Sequence, residues 1–150
     1  GVVLRPGVAC GGRGGLTGAW FAGAEAGDLR MVGDGANHWA MVHVDDVADA
    51  YLRAAEAGVA GEVFNLADDG AVTLGELVRA AGAAAGYRGA IAATPLAEAE
   101  AQLGPLAEAL ALDLRISSQR ARRILGWRPR HAGFVAEAVT YYAAWRAAQR

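Results

Sequence analysis

Apolar residues in this chain fall into short runs rich in β-branched side chains, separated by longer stretches with helical spacing. Val2-Val3-Leu4 is such a run, stopped by Pro6-Gly7, and it predicts a buried parallel strand ending in an abrupt turn. The glycine-rich loop Gly11–Gly15 leads into an alanine-rich helix over Leu16–Ala26 that carries Trp20 and Phe21. Leu29–Val32 reads as a small strand before the Gly33-Asp34-Gly35 turn, and Ala40–Val44 as another strand after it. A helix follows, capped by Asp45 or Asp46, with Val47, Ala48, Tyr51, Leu52 and Ala55 as its apolar stripe and Gly58 closing it.

The second half continues the alternation. Glu62–Leu66 is a further buried strand pattern, and Thr73-Leu74-Gly75-Glu76 is a capping box for a helix running to about Gly86. Arg88–Thr94 reads as a third strand. Pro95–Leu112 is helical but interrupted, because Gly104-Pro105 removes a donor and crowds the preceding turn. Ser117 or Ser118 caps a short helix ending at Gly126. The last helix, Phe134–Ala148, is expected to bury Phe134, Val135, Ala138, Val139 and Tyr142. Strands alternating with helices indicate α/β architecture.

Composition narrows the function classes. At 150 residues there is room for one domain, burying roughly 70% of the unfolded surface. Much of the 54% apolar content is alanine, which favours helix without filling a core. The net charge of −2 supplies no basic field, so no nucleic-acid partner is expected. Cys10 is the lone cysteine, which rules out a disulfide framework and suggests a reducing, cytoplasmic setting. No run approaches the ~18 apolar residues of a membrane span, so no membrane partner is expected, and no signal peptide leads the chain. The chain begins directly in a strand pattern at Gly1, which reads as the interior of a longer protein.

The chemistry-bearing residues are few. Gly12-Arg13-Gly14 begins a dinucleotide-binding spacing, but the third glycine would fall on Thr17, and a following strand ending in an acid is missing. All 14 basic residues are arginine, so a Walker-type loop, which needs lysine, is excluded. Tyr142 and Arg146 are the one tyrosine–cation pair four residues apart, and they lie on a helix whose tyrosine is expected to face the core. His38, His43 and His131 show no carboxylate spacing for zinc, so no metal ligands are expected and His43 is read as packed and hydrogen-bonded.

Three segments together carry a resemblance. Arg5-Pro6-Gly7, the stretch Gly33-Asp-Gly-Ala-Asn-His-Trp-Ala-Met-Val-His-Val-Asp-Asp46, and Leu125-Gly-Trp-Arg-Pro129 resemble the C-terminal half of an extended short-chain dehydrogenase/reductase of the NAD-dependent epimerase/dehydratase family. The resemblance implies the C-terminal part of a Rossmann-type doubly wound parallel sheet plus a small substrate-binding subdomain. Residues 1–150 would form one segment, with the last sheet strands over 1–66 and the substrate-binding and helical part over 67–150. The two clear strands would be the sixth and seventh of the parent sheet, leaving Val2–Arg5 with an open, association-prone edge.

What the family does follows from the same resemblance. It uses NAD or NADP, and Pro6, Gly7 and Val8 would lie against the nicotinamide, since proline lacks an N–H and glycine a β-carbon. Trp39, His43 and Cys10 would face a small-molecule substrate. The family's catalytic Tyr and Lys precede this region: free tyrosine ionises near pH ~10, and a nearby cation supplies much of the ~4 kcal/mol needed to use it near neutrality. No catalytic residue is therefore expected here, and the chain would be inactive without a nucleotide-binding N-terminal half. Asp45 and Asp46 would serve the helix start, and Leu125–Pro129 would be structural.

The departures point to the substrate. Nucleotide-sugar members hold the substrate diphosphate with an arginine at the position of Trp39 and often with another upstream of Leu-Gly-Trp, where residues 104–112 offer none; their asparagine after the Arg-Pro turn is Val8. A diphosphate needs cations or N–H donors. The expected substrate is thus a smaller or more apolar carbonyl or alcohol, with Trp39 either a pocket wall or core. The other readings are a non-catalytic cofactor-binding relative and a split-gene interaction module that binds through its strand edge.

Overall fold

A computed structural model describes residues 1–13, 15–68 and 70–150; Gly14, part of the loop weighed above, and Asp69 lie outside the described residues. The elements run β1 (Val3–Pro6), β2 (Val8–Cys10), α1 (Gly15–Glu25), β3 (Arg30–Val32), β4 (His38–Trp39), β5 (Met41–His43), α2 (Val44–Glu56), β6 (Val63–Leu66), β7 (Val72–Thr73), α3 (Leu74–Ala84), β8 (Ala92–Thr94), α4 (Leu96–Leu103), α5 (Pro105–Ala111), α6 (Gln119–Leu125) and α7 (Phe134–Ala147). No helix among the described residues is long and apolar enough to cross a membrane.

The α/β class holds, and the strands meet in pairs. β1–β6, β2–β5 and β3–β8 are parallel, and β4–β7 is antiparallel. β7 and β8 come after residue 66 yet pair back with β4 and β3, tying the two parts of the chain together. Parallel pairing needs a crossover, and α2 provides it between β1 and β6 as part of the intervening chain. Val3 donates to Glu62 and Gly7 to Leu66, so the odd residues of β1 face β6. Val2, Leu4 and Pro6 are left on an edge with no ladder partner among the described residues, and Val3 is 49% exposed. The buried strand expected at Val2–Leu4 is therefore an edge strand.

Two cores form. One gathers Trp20, Phe21, Trp39, Leu77, Phe134, Tyr141 and Trp145 around α1, α3 and α7. The other packs Val42, Phe64, Leu66 and Trp127 against Ala50 and Ala54 of α2. Helix α2 thus turns Ala50 and Ala54 inward, with Val47 of the expected stripe packed beside them, partly buried. The stripe expected on it is corrected: Tyr51 is 55% and Leu52 58% exposed. Helix α7 is rotated in the same way, with Tyr141 and Trp145 buried while Val135 and Val139 face outward.

Caps decide several boundaries. The Thr73–Glu76 capping box forms as read, with reciprocal bonds. The strand expected over Ala40–Val44 breaks at Ala40, where pairing passes from β7 to β2, and ends at His43, which caps α2. His43, not Asp45 or Asp46, is the N-cap of α2, its Nδ1 accepting the Asp45 N–H at 3.2 Å. Ser118 stands at the start of α6, but its hydroxyl accepts from Ala67 N–H at 2.7 Å and donates to the Ala67 carbonyl at 2.9 Å, so it bridges to the end of β6 instead of capping. Gly126 closes α6 in the left-handed conformation, as expected.

Candidate functional site

The carboxyl ends of the parallel strands bring the sequence candidates near one another. β1 ends at Pro6, β2 at Cys10 and β5 at His43, with Cys10 directly opposite His43 in the β2–β5 register. Pro6 is exposed, and Gly7 and Val8 are half-buried. The Gly7 N–H donates to Leu66 at 2.8 Å and that of Val8 to Ala40 at 2.7 Å. A β-carbon on Gly7 would stand 2.2 Å from the Ala40 carbonyl oxygen. Glycine is required there by the chain's own packing; what this segment offers a flat ring is the open face of Pro6.

Cys10 is 2% exposed in the aromatic core, its thiol 3.5 Å from the Val42 carbonyl. Burial, with carboxylates at Asp68, Glu137 and Asp46, pushes its pKa up to about 12, so it is a packed thiol and not a nucleophile. His43 stacks on His131 with ring centroids 3.5 Å apart and on Tyr141 at 5.3 Å. Burial and the neighbouring His131 lower its pKa, so the ring is neutral at pH 7. A β-carbon on Gly11, which has φ +97°, would come within 2.2 Å of His43 Nε2.

Beneath this stack lies a hydrogen-bonded chain of groups. Tyr141 donates to Glu137 Oε2 at 2.5 Å, His131 Nδ1 lies 2.7 Å from the same oxygen, and the Ala132 N–H donates to Oε1 at 2.9 Å. Burial pushes the Glu137 pKa upward, but these bonds outweigh it and hold the carboxyl at about 2. Burial and the ionised Glu137 raise the pKa of Tyr141. Asp46, 1% exposed, accepts the Arg130 N–H at 3.0 Å and that of His131 at 3.3 Å, while its own carbonyl accepts the Trp127 indole at 2.8 Å. The acid pair is thus divided: Asp46 fixes the Leu-Gly-Trp-Arg-Pro segment, and Asp45 is exposed.

Tertiary proximity also supplies what chain spacing lacked. His43, Asp45 and His131 bring one ligand atom each within 4.8 Å of one another, the group among the described residues able to approach a metal. A single ion with bonds of about 2.1 Å joins atoms no more than ~4.2 Å apart. The His43 cap bond and the His131–Glu137 bond already engage both Nδ1 atoms.

Trp39 is 6% exposed and stands between two cavities. Its indole N–H donates to the Leu110 carbonyl at 3.1 Å, and its ring meets Trp20 at 5.4 Å. On one side a cavity of about 360 Å³ is walled by His38, Asp68, Arg115 and Ser117. On the other, one of about 320 Å³ is lined by Trp20, Met31, Leu103, Leu106 and Leu110. Arg115 is the cation that residues 104–112 did not supply, but it sits 3.5 Å from Asp113, whose carboxylate also holds His38. Burial raises the Asp68 pKa despite the Gly70 N–H on its carboxylate.

Sequence reasoning did not single out Asp68, His131, Glu137 or Tyr141 as site residues. Glu137 and Tyr141 are four apart on one helix face, which is a readable signal; His131 and Asp68 reach the site only through the fold.

Known proteins share this architecture. Residues 1–67 match the NAD dependent epimerase/dehydratase family. An uncharacterized protein of Saccharomyces cerevisiae is 30% identical over 110 residues, 73% of this chain and 36% of its own length. The UDP-glucose 4-epimerase of Thermotoga maritima, solved with UDP-glucose, superimposes with a TM-score of 0.80 and 22% identity over 99% of this chain and 47% of its own. A human epimerase family protein solved with NADPH gives 0.82 and 26% over 95% of this chain and 48% of its own. The chain spans about half the length of these solved proteins and about a third of the yeast one.

Proposed function

We propose that this chain, whose residues 1–67 match the NAD dependent epimerase/dehydratase family, forms the substrate-binding half of an NAD(P)-dependent oxidoreductase or epimerase of that family. Its substrate is a small or apolar carbonyl or alcohol and not a nucleotide sugar. The carrying observation is Trp39. An indole whose single donor is taken by Leu110 lines an apolar cavity, at the position where the resemblance expects an arginine for a diphosphate.

The nicotinamide group would supply hydride chemistry when bound. The residues present fit only its ring: Pro6 is exposed at the end of β1, and Val8 follows it. The backbone donors of Gly7 and Val8 are already engaged, and Gly11 is filled by His43, so neither cradles a phosphate. The remainder of the cofactor would be held by a nucleotide-binding half, a partner for which the open β1 edge is suited. That same edge favours the second reading, an interaction module that binds by strand addition.

The test joins this chain to a nucleotide-binding half and follows NADH or NADPH oxidation with neutral aldehydes and ketones, NAD or NADP reduction with neutral alcohols, and product formation from UDP-glucose and dTDP-glucose, whose epimerisation or dehydration leaves the cofactor unchanged overall. Turnover confined to the neutral compounds supports the proposal. Efficient conversion of either nucleotide sugar overturns the substrate class, and no turnover of any compound shifts the balance to the interaction module.

A further inference from the structure

We infer that the cavity between α1, β3 and the α4–α5 pair binds a neutral, flat aromatic compound carrying a carbonyl or hydroxyl, an inference that rests on reading this chain as a substrate-binding half. The space is about 320 Å³, at the low end of the ~300–1,000 Å³ common for small-molecule sites. Its shape comes from the fold. Trp20 of α1 and Trp39 of β4, tilted by 38° with centroids 5.4 Å apart, form the floor. Leu103 and Leu106, each 45% exposed, form the outer wall on either side of the Gly104-Pro105 kink.

Charge decides the ligand class. Asp28 and Arg30 both line the cavity, and Arg30 Nε donates to both Asp28 oxygens at 2.8 and 3.0 Å. The pair carries no net charge, which favours a neutral ligand over an anionic one. The Trp39 N–H is also engaged, by Leu110. Thr94 and Gln102 remain as polar lining able to orient one carbonyl or hydroxyl. Two indoles at the floor favour an aromatic ring over an aliphatic one, because offset and edge-on ring pairs add to plain burial.

The test is a titration of the 150-residue chain followed by the ¹H–¹⁵N signals of its four indole N–H groups. Acetophenone is expected to shift the Trp20 and Trp39 signals saturably and to leave Trp127, bonded to Asp46, in place. Leu106→Trp, which fills the cavity from an exposed position, should abolish the shifts while the rest of the spectrum keeps its dispersion. Unperturbed signals, or cyclohexanone or benzoate binding as tightly as acetophenone, overturns the inference and leaves the wider functional reading standing. UDP-glucose binding more tightly at the same two signals overturns both.

Discussion

The imidazole of His43 rests against the backbone of Gly11 so closely that a β-carbon on that glycine would stand 2.2 Å from Nε2. The contact joins the end of β2 to the cap of α2, and Gly11 also has φ +97°, which disfavours any side chain. Gly11→Ala should therefore destabilise the chain by about 3 kcal/mol, from strain and steric overlap together. Urea unfolding measures it, and a loss under ~1 kcal/mol would mean that the ring moves aside freely.

Glu137 makes stability pH-dependent. Its folded pKa, about 2, lies below the ordinary 4.5, so the unfolded chain binds more protons between these values. Its contribution is full above pH ~4.5 and is lost as the pH falls toward 2. His43 adds loss from pH ~6.5 downward, because burial and His131 lower its pKa in the fold. Glu137→Gln should cost about 2 kcal/mol at neutral pH and flatten the acid limb of stability against pH. A limb unchanged in slope would remove Glu137 as its cause.

Asp46 is the buried anchor of the Leu125–His131 segment. Asp46→Ala leaves the N–H groups of Arg130 and His131 without their acceptor, an expected cost of about 3 kcal/mol. Asp45→Ala, at an exposed carboxylate, should cost less than ~0.5 kcal/mol. Denaturant midpoints for the two variants give the comparison, and equal losses would contradict the division of roles.

The proposal places the cofactor's phosphates outside this chain. Calorimetric titration of this chain with NADH and NADPH should show no affinity tighter than ~100 µM, about −5.5 kcal/mol. Tighter binding would place the main cofactor site here.

How far the chain could be read depended on where each partner lay. The Thr73–Glu76 box and the Gly126 turn were legible because both partners are within a few residues. The buried face of α7 was read off-centre: Phe134, Val135, Ala138, Val139, Tyr141 and Tyr142 share one broad arc of about 160°, and the fold buries the edge of it that holds Phe134, Ala138 and Tyr141, together with Trp145. Tyr51 and Leu52 looked like core because they are large, whereas the packing around Trp127 and Phe64 selected Ala50 and Ala54. Trp39 was legible as a departure from the family's pattern. The role of Asp46 was not, since Arg130 and His131 reach it only through the fold; Glu137 has its partners close in sequence, at His131, Ala132 and Tyr141, and its spacing from Tyr141 was the readable signal left unused.

Exposed Tyr51, Leu52 and Val3 make a separate prediction. Sedimentation of the chain at high concentration should reveal association that Leu52→Glu with Val3→Lys reduces without lowering thermal stability. A parent chain that stays monomeric would count against it.

Ser118 closes off the end of β6. Its hydroxyl takes both backbone groups of Ala67 on the side of β6 away from β1. A strand laid along that side would meet residue 118 at the last rung, while the margin at Val2 and Leu4 stays open. A strand added beside Ala67 would have to displace that hydroxyl, whereas one added along Val2 and Leu4 would displace no ladder bond among the described residues.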